Sequence, residues 1–174
     1  MPVVNFWVVK GNPRYPVPGV EERCGDIAYF LRDRSSEWIT YRYVPPACKE
    51  GDPVFFWSSG KLRSIVALGQ IKNPKIDGHA FEINHLSRSF FPPERQLGIE
   101  EIRSAFERKL SKADLSLAGY IKPCVVATIY PVTQAQAEIL VRLLSKKNPN
   151  NVHLREWEKL LAANTDTAGQ SVRL

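Results

Sequence analysis

Two hydrophobic periods run through this chain, and the change from one to the other divides it. Up to about residue 91 the apolar positions alternate in twos, as strands do. Residues 3–9, VVNFWVV, predict a first strand, and the Pro- and Gly-rich KGNPRYPVP ends it in a loop. Val20 to Asp33 is ambiguous: Ile27, Phe30 and Leu31 have helical spacing, while Gly25 opposes a helix. From Glu37 to Tyr43, Trp38, Thr40 and Arg42 alternate with Ile39, Tyr41 and Tyr43, which suits a strand. The stretch GDPVFFWSSGKLRSIVALGQI, residues 51–71, reads as a tight β-hairpin, with Ser58 to Leu62 between its two apolar runs. Phe81 to Phe91 predicts another strand, with Phe81, Ile83 and His85 on one face.

Beyond that point the period becomes helical. Ile99, Ile102, Phe106 and Leu110 fall on one face, with Glu100 and Glu101 in the first turn and Arg108 and Lys109 in the last. Those charges complement the helix dipole. PCVVATIYP, residues 123–131, is a buried strand bounded by prolines. Thr133 then opens a helix, with Gln136 completing a capping box and Ala137, Leu140, Val141 and Leu144 facing inward. KKNPNN stops it. Val152 to Ala163 is a further amphipathic helix carrying Leu154, Trp157, Leu160 and Leu161. Short strands, one late core strand and flanking helices predict an α+β domain around a curved sheet or small barrel. The expected organisation is one domain over residues 1–163 and a flexible tail over 164–174.

The composition supports a folded core. The chain has 174 residues, of which 44% are hydrophobic, enough for a core without a metal or disulfide staple. The 3 cysteines, Cys24, Cys48 and Cys124, form no C-x-x-C pair and read as reduced thiols of a cytoplasmic protein. The N-terminus reads as no signal peptide, and no run approaches the roughly 18 apolar residues of a membrane span. The net charge of +6 favours a polyanionic partner, nucleic acid first.

Catalytic patterns are missing. SSGKLRS lacks the spacing of a phosphate loop. His79 and His85 share a strand face but stand too far apart for one ion, and no metal or cofactor is expected. Cys48 reads as a buried thiol near a turn. Glu21-Glu22 and Glu100-Glu101 are neighbours in sequence, so on a helix each pair diverges. Asp77 and Glu82 suggest a nuclease strand, but Asn84 stands where that pattern needs a lysine.

Three segments resemble the EVE domain family. FWVVKGNP is similar to that family's opening strand, with a Trp ahead of a Lys and a Pro. WITYRY, EGDPVFFWSS and IVALGQI resemble its next blocks: a Trp with an Arg four on, a Gly-Asp turn, an aromatic strand ending in Ser, and an apolar return strand. The order agrees over roughly residues 6–76, and YPVTQAQAEILVRLL is similar to the closing strand and helix of prokaryotic members. The resemblance implies a PUA-like fold, a small twisted β-barrel with peripheral helices, related to YTH and ASCH domains. It also implies recognition of a modified base in DNA or RNA, several members taking a flipped modified cytosine into an aromatic pocket. The segment between Pro13 and Trp38 departs from the family pattern.

The residues themselves supply a candidate pocket. Trp57 runs directly into Ser58 and Ser59, which suits a pocket floor whose hydroxyls read a base edge. Phe55 shares its face, and Phe56 points the other way into the core. A plain core strand is the alternative. Trp38 and Arg42 share a strand face and form a stacking-and-phosphate pair, or a core Trp with a snorkelling Arg. Lys10 ends the first strand at a turn containing Asn12, where it reaches a phosphate or base edge, or is simply solvated. Arg14, Lys61 and Arg63 form a basic rim. Trp7 is core by composition, and the resemblance puts it near the pocket wall. The leading expectation is a non-catalytic binding module for a modified base. The alternatives are a nucleic-acid-processing enzyme on an ASCH-like scaffold and a protein-interaction domain whose C-terminal helices, with Trp157, dock a partner.

Overall fold

The computed structural model describes residues 4–11, 37–40, 47–59, 63–76, 80–86, 90–110 and 129–171. The strands are β1 (Phe6–Gly11), β2 (Glu37–Thr40), β3 (Pro53–Ser58), β4 (Ser64–Ile76), β5 (Ala80–His85), β6 (Leu97–Gly98) and β7 (Ile129–Val132). The helices are α1 (Ile99–Lys109), α2 (Gln134–Lys147) and α3 (Val152–Ser171), and a short 3-10 turn covers Pro93–Arg95.

The strands form one mixed sheet in the order β2-β5-β4-β3-β1-β7, with β6 paired to β4. β3 and β4 are the antiparallel hairpin foreseen for residues 53–71. β1 lies parallel to β3, and β7 closes against β1 antiparallel. Every residue of β3 is buried, as expected of a strand flanked on both sides and covered on both faces. Its alternation therefore sorts core from core rather than core from solvent. Phe55 and Trp57 join Phe6 and Val8 on the face covered by the helices, packing with Phe106, Leu140, Leu144 and Leu154. Phe56 and Val54 join Trp7, Val9, Ile71 and Ile83 on the opposite face. A bulge re-aims β4: Phe56 pairs with Ala67 and Trp57 with Ile65, so Val66 is the extra residue and shares the Ala67 side.

Gly69 is required by its neighbours. A Cβ there would lie 2.5 Å from the Phe56 ring and 2.9 Å from the Asn84 carbonyl oxygen. The aromatic ring thus occupies the space that a side chain on β4 would fill.

The helices follow their sequence signals closely. In α1, Ile99, Ile102, Ala105 and Phe106 are buried. The α2 capping box is formed: the Thr133 amide donates to Gln136 Oε1 at 2.9 Å, and the Gln136 amide donates to Thr133 Oγ1 at 3.3 Å. Asn148 caps the end of α2, donating to the Arg95 and Leu144 carbonyls, and Asn151 Oδ1 accepts the Leu154 amide at the start of α3.

Two expectations change, and a third is covered only in part. β5 ends at His85, short of Phe91, although Phe91 is core and its amide still donates to the Val66 carbonyl at 2.9 Å. The strand over residues 123–131 is seen from Ile129 onward, residues 123–128 lying outside the described ones, as does the ambiguous stretch from Val20 to Asp33. The expected loose tail from residue 164 is helical through Ser171. Propagation is inexpensive once a helix is nucleated and docked. α3 is docked by Leu154, Trp157 and Leu161, and Asn164 exchanges hydrogen bonds with the Val4 backbone.

Candidate functional site

The parallel register of β1 and β3 brings two sequence-distant parts of the candidate site to one end of the sheet. Lys10 pairs with Trp57 and Gly11 with Ser58. Lys10 is half-buried, Ser58 buried and Ser59 half-buried. Strand alternation puts Ser59 on the row of Phe55 and Trp57, and Lys10 on the row of Phe6 and Val8. These rows share the helix-side face, so a cation and a partly open hydroxyl emerge together where that face ends.

Arg63 stands at the same end. It is exposed and has φ 45°, the left-handed region that a side chain enters only when its neighbours require it. The requirement is visible: the Arg63 carbonyl accepts the Ile99 amide at 3.0 Å, tying the turn to the start of α1. One residue on, Ser64 pairs with Ser58 and donates to Gln96 Oε1 at 2.7 Å. Gln96 donates to the Phe91 carbonyl, and its own carbonyl accepts Lys147 Nζ at 2.8 Å. Lys147 also pairs with the Glu101 carboxylate, which accepts the Gly98 amide. The hairpin end is thereby braced by side-chain and backbone bonds to both α1 and α2.

Trp57 does not form the floor expected of it. It is 2% exposed, and the helix-side residues around it are core. A base needs an accessible ring face to stack on, and Trp57 presents none. The physical reason is the doubly covered sheet: a residue leaving β3 toward either face meets protein. Ser58 is equally enclosed, which leaves Ser59 as the hydroxyl able to meet a ligand.

Trp7 is also 2% exposed, so it belongs to the core rather than to a pocket wall, and its indole is held. Trp7 Nε1 donates to Asp52 Oδ2 at 2.8 Å. The Lys49 amide donates to the same oxygen at 2.9 Å, and the Asn5 amide donates to Oδ1 at 3.2 Å. Asp52 ends a turn in which its amide bonds to the Lys49 carbonyl. Gly51, at the third position with φ 86°, supplies the left-handed conformation that a type II turn needs there. Gln70 Nε2 and the Ile71 backbone secure this turn to β4. Asp52 is thus a buried carboxylate whose charge is met by N–H donors, a role its place in EGDP did not disclose. Only the Gly-Asp turn signal pointed to it.

Cys48, beside this turn, is a free and buried thiol. Burial, then the Asp52 charge, pushes it up to about 12, so it is a thiol at neutral pH. Cys24 and Cys124 lie outside the described residues, as do Asn12, Arg14, Arg42 and Lys61.

Trp38 is placed by its backbone register alone. It pairs with Ile83, which pairs with Ile71, well along β4 from Ile65, the partner of Trp57. The ladder therefore does not set Trp38 beside Trp57, and a clamp between those two rings is not formed by strand pairing. Trp157 is core as well: its ring stands edge-on to Phe6 at 5.8 Å and to Phe55 at 5.2 Å. It is no exposed anchor for a partner. Among the described residues, no group of His, Cys, Asp and Glu could hold a metal, and no helix is long and apolar enough to cross a membrane.

The chain matches no protein-family model and no curated protein. Solved structures do match it. Protein Atu2648 from Agrobacterium tumefaciens aligns with TM-score 0.53 at 16% identity, over 83% of this chain and 93% of that one. Rpa0253 from Rhodopseudomonas palustris aligns with TM-score 0.52 at 16% identity, over 86% and 97%. The human THYN1 protein, solved in complex with DNA containing 5-methylcytosine, aligns with TM-score 0.55 at 16% identity, over 82% and 97%. The fold is accordingly the α+β, PUA-like arrangement, a mixed sheet with helices packed on one face.

Proposed function

We propose that this protein is a non-catalytic nucleic-acid-binding module of the EVE type that takes a modified base, a modified cytosine first, from DNA or RNA. One observation carries this reading. The segments that resemble the EVE family fall in order on β1, β2, β3 and β4 of a fold shared with THYN1, a protein solved with 5-methylcytosine DNA. Lys10, Ser59 and Arg63 emerge at one braced end of that framework. Lys10 and Arg63 contact phosphate or a base edge there, joined by Asn12, Arg14 and Lys61 from the segments that continue out of β1 and β3. With Trp57 enclosed in the core, the stacking role falls to Trp38, with Arg42 as its phosphate-binding companion, on a part of the sheet apart from the end where Lys10 and Arg63 emerge. Extracting a base costs a few kcal/mol, and one stacking ring returns about 1–3 kcal/mol. The phosphate contacts supply the rest, so binding is salt-sensitive. A buried methyl is worth about 0.8 kcal/mol, which makes a methyl mark alone a few-fold preference. The thiol state of Cys48 suits a reducing, cytoplasmic setting.

The test is a binding array of oligonucleotides carrying modified cytosine or modified adenine against unmodified controls, with Trp38→Ala and Lys10→Ala alongside wild type. A preference for one modified base that Trp38→Ala abolishes is the expected result. Equal affinity for all probes would refute base recognition.

A further inference from the structure

The helical layer carries a second concentration of positive charge. Arg108 and Lys109 end α1, and Arg142 and Lys146 stand one turn apart on α2. All four are exposed. Arg108 Nε donates to the Ser104 carbonyl of its own helix, and among the described residues none of the four makes an ion pair. Lys147 of α2 pairs with Glu101 of α1 at 2.8 Å, which holds the two helices together, and Lys109 feels the charge of the other three. Partial desolvation, then the charges of Arg142, Lys146 and Arg108, holds the Lys109 ammonium below the ordinary lysine value. Glu138 and Glu158 share a shallow cleft with Arg142 between α2 and α3, yet neither pairs with it. Four like charges kept together without acidic partners among the described residues weaken the fold by repulsion.

The cluster is also connected to the sheet end described above. Ser58 pairs with Ser64, Ser64 bonds Gln96, and Gln96 accepts Lys147, the neighbour of Lys146. This chain of bonds sets the C-terminal end of α2, where Lys146 stands, against the strand end that carries Arg63.

We infer that Arg108, Lys109, Arg142 and Lys146 form a phosphate-binding track that grips nucleic-acid backbone flanking the base-reading end. This rests on the nucleic-acid reading above but adds a surface which that reading does not need. The track contacts phosphates only, so it raises affinity for any sequence and carries no base preference.

The experiment compares wild type with a variant bearing Arg108→Gln, Lys109→Gln, Arg142→Gln and Lys146→Gln. The probes are one duplex oligonucleotide without modification and the same duplex with 5-methylcytosine, each titrated across a salt series. Losing four phosphate contacts should make the slope of log K against log salt shallower by about 3–4. The ratio of affinities for the two probes should not change. A control variant, Arg155→Gln with Lys159→Gln on the exposed side of α3, should leave the slope nearly as in wild type. An unchanged slope in the fourfold variant overturns the track, and so does an equal change per charge in the control, which would signal a diffuse net-charge effect. The four residues are exposed, so a melting curve at or above that of wild type is expected, and it confirms that the variant reads binding rather than folding. Absence of a preference for the methylated probe would refute base recognition while the slope still decides the track. A wild-type protein that binds neither probe overturns both.

Discussion

Replacing Asp52 by Ala is the perturbation whose cost the structure specifies most fully. The carboxylate is 3% exposed and accepts three N–H donors, from Trp7 Nε1, Lys49 and Asn5. Removing it leaves the Trp7 indole N–H buried without a partner, at about 1–3 kcal/mol for a buried unsatisfied donor. The Lys49 and Asn5 amides are only partly buried, so water recovers part of their loss. Together they add about 1–2 kcal/mol, for a total of about 2–5 kcal/mol. Asp52→Asn keeps one acceptor oxygen but turns an amide N–H₂ toward a donor, so it should lose about 1–3 kcal/mol. Urea unfolding followed by far-UV circular dichroism gives both values if the slope with denaturant is unchanged. Trp7→Phe provides the decisive cycle. In the Trp7→Phe background no indole N–H remains to be orphaned, so Asp52→Ala should cost about 1–2 kcal/mol less than in wild type. Additive losses would show that the 2.8 Å contact contributes nothing, and a loss for Asp52→Ala within about 0.5 kcal/mol would refute the whole network.

Trp57→Ala should cost about 3–5 kcal/mol of stability and leave the affinity of the folded fraction for nucleic acid intact, measured by paired melting and binding curves. A normal melt with lost affinity would return Trp57 to the binding site. Gly69→Ala forces a methyl against the Phe56 ring and the Asn84 carbonyl and should destabilise by about 1–3 kcal/mol, partly relieved by Phe56→Leu. A neutral Gly69→Ala would mean that the strand shifts freely. Cys48 should resist alkylation in the native protein and react fully after unfolding, as read by mass spectrometry. Its thiol pKa is raised from 9.0 to about 12, so the folded state binds the proton more tightly and the stability this confers is complete below 9.0. That stability is lost as pH rises from 9.0 toward 12, and Cys48→Ala should flatten this part of the denaturation midpoint against pH; identical profiles would refute the assignment.

Much of the framework was legible because local chemistry and tertiary packing agree. The Thr133–Gln136 box, the KKNPNN stop and the Ile99–Phe106 stripe each carry their signal within a few residues. The hairpin of β3 and β4 was legible for the same reason. What local pattern does not carry is which strands lie side by side. The parallel pairing of β1 with β3 joins residues far apart in the chain, and it is this pairing that sets Lys10 against Trp57. It also covers β3 on its second edge. The helix layer covers its face. An aromatic run next to two serines is compatible with a pocket mouth or with an interior strand, and only those two neighbours decide between them.

The same contrast between cover and exposure separates Arg63 from Trp7 and Trp57. A tryptophan near a strand end gains from being covered, and both Trp7 and Trp57 are covered. An arginine or lysine keeps its charge in water, so Arg63 and the Arg108–Lys146 cluster stay outside whatever the topology does to the sheet. Charge read from the sequence therefore points to surface more dependably than aromatic content points to a pocket. Asp52 fixes the indole of Trp7 at the start of β1 and β3, and the Ser64–Gln96–Lys147 chain fixes the hairpin at their far end. Arg63 and the exposed cations of the helices stand outside that buried frame. Asp52→Asn and the fourfold Gln variant should accordingly fail in different ways, the first in stability and the second in salt dependence.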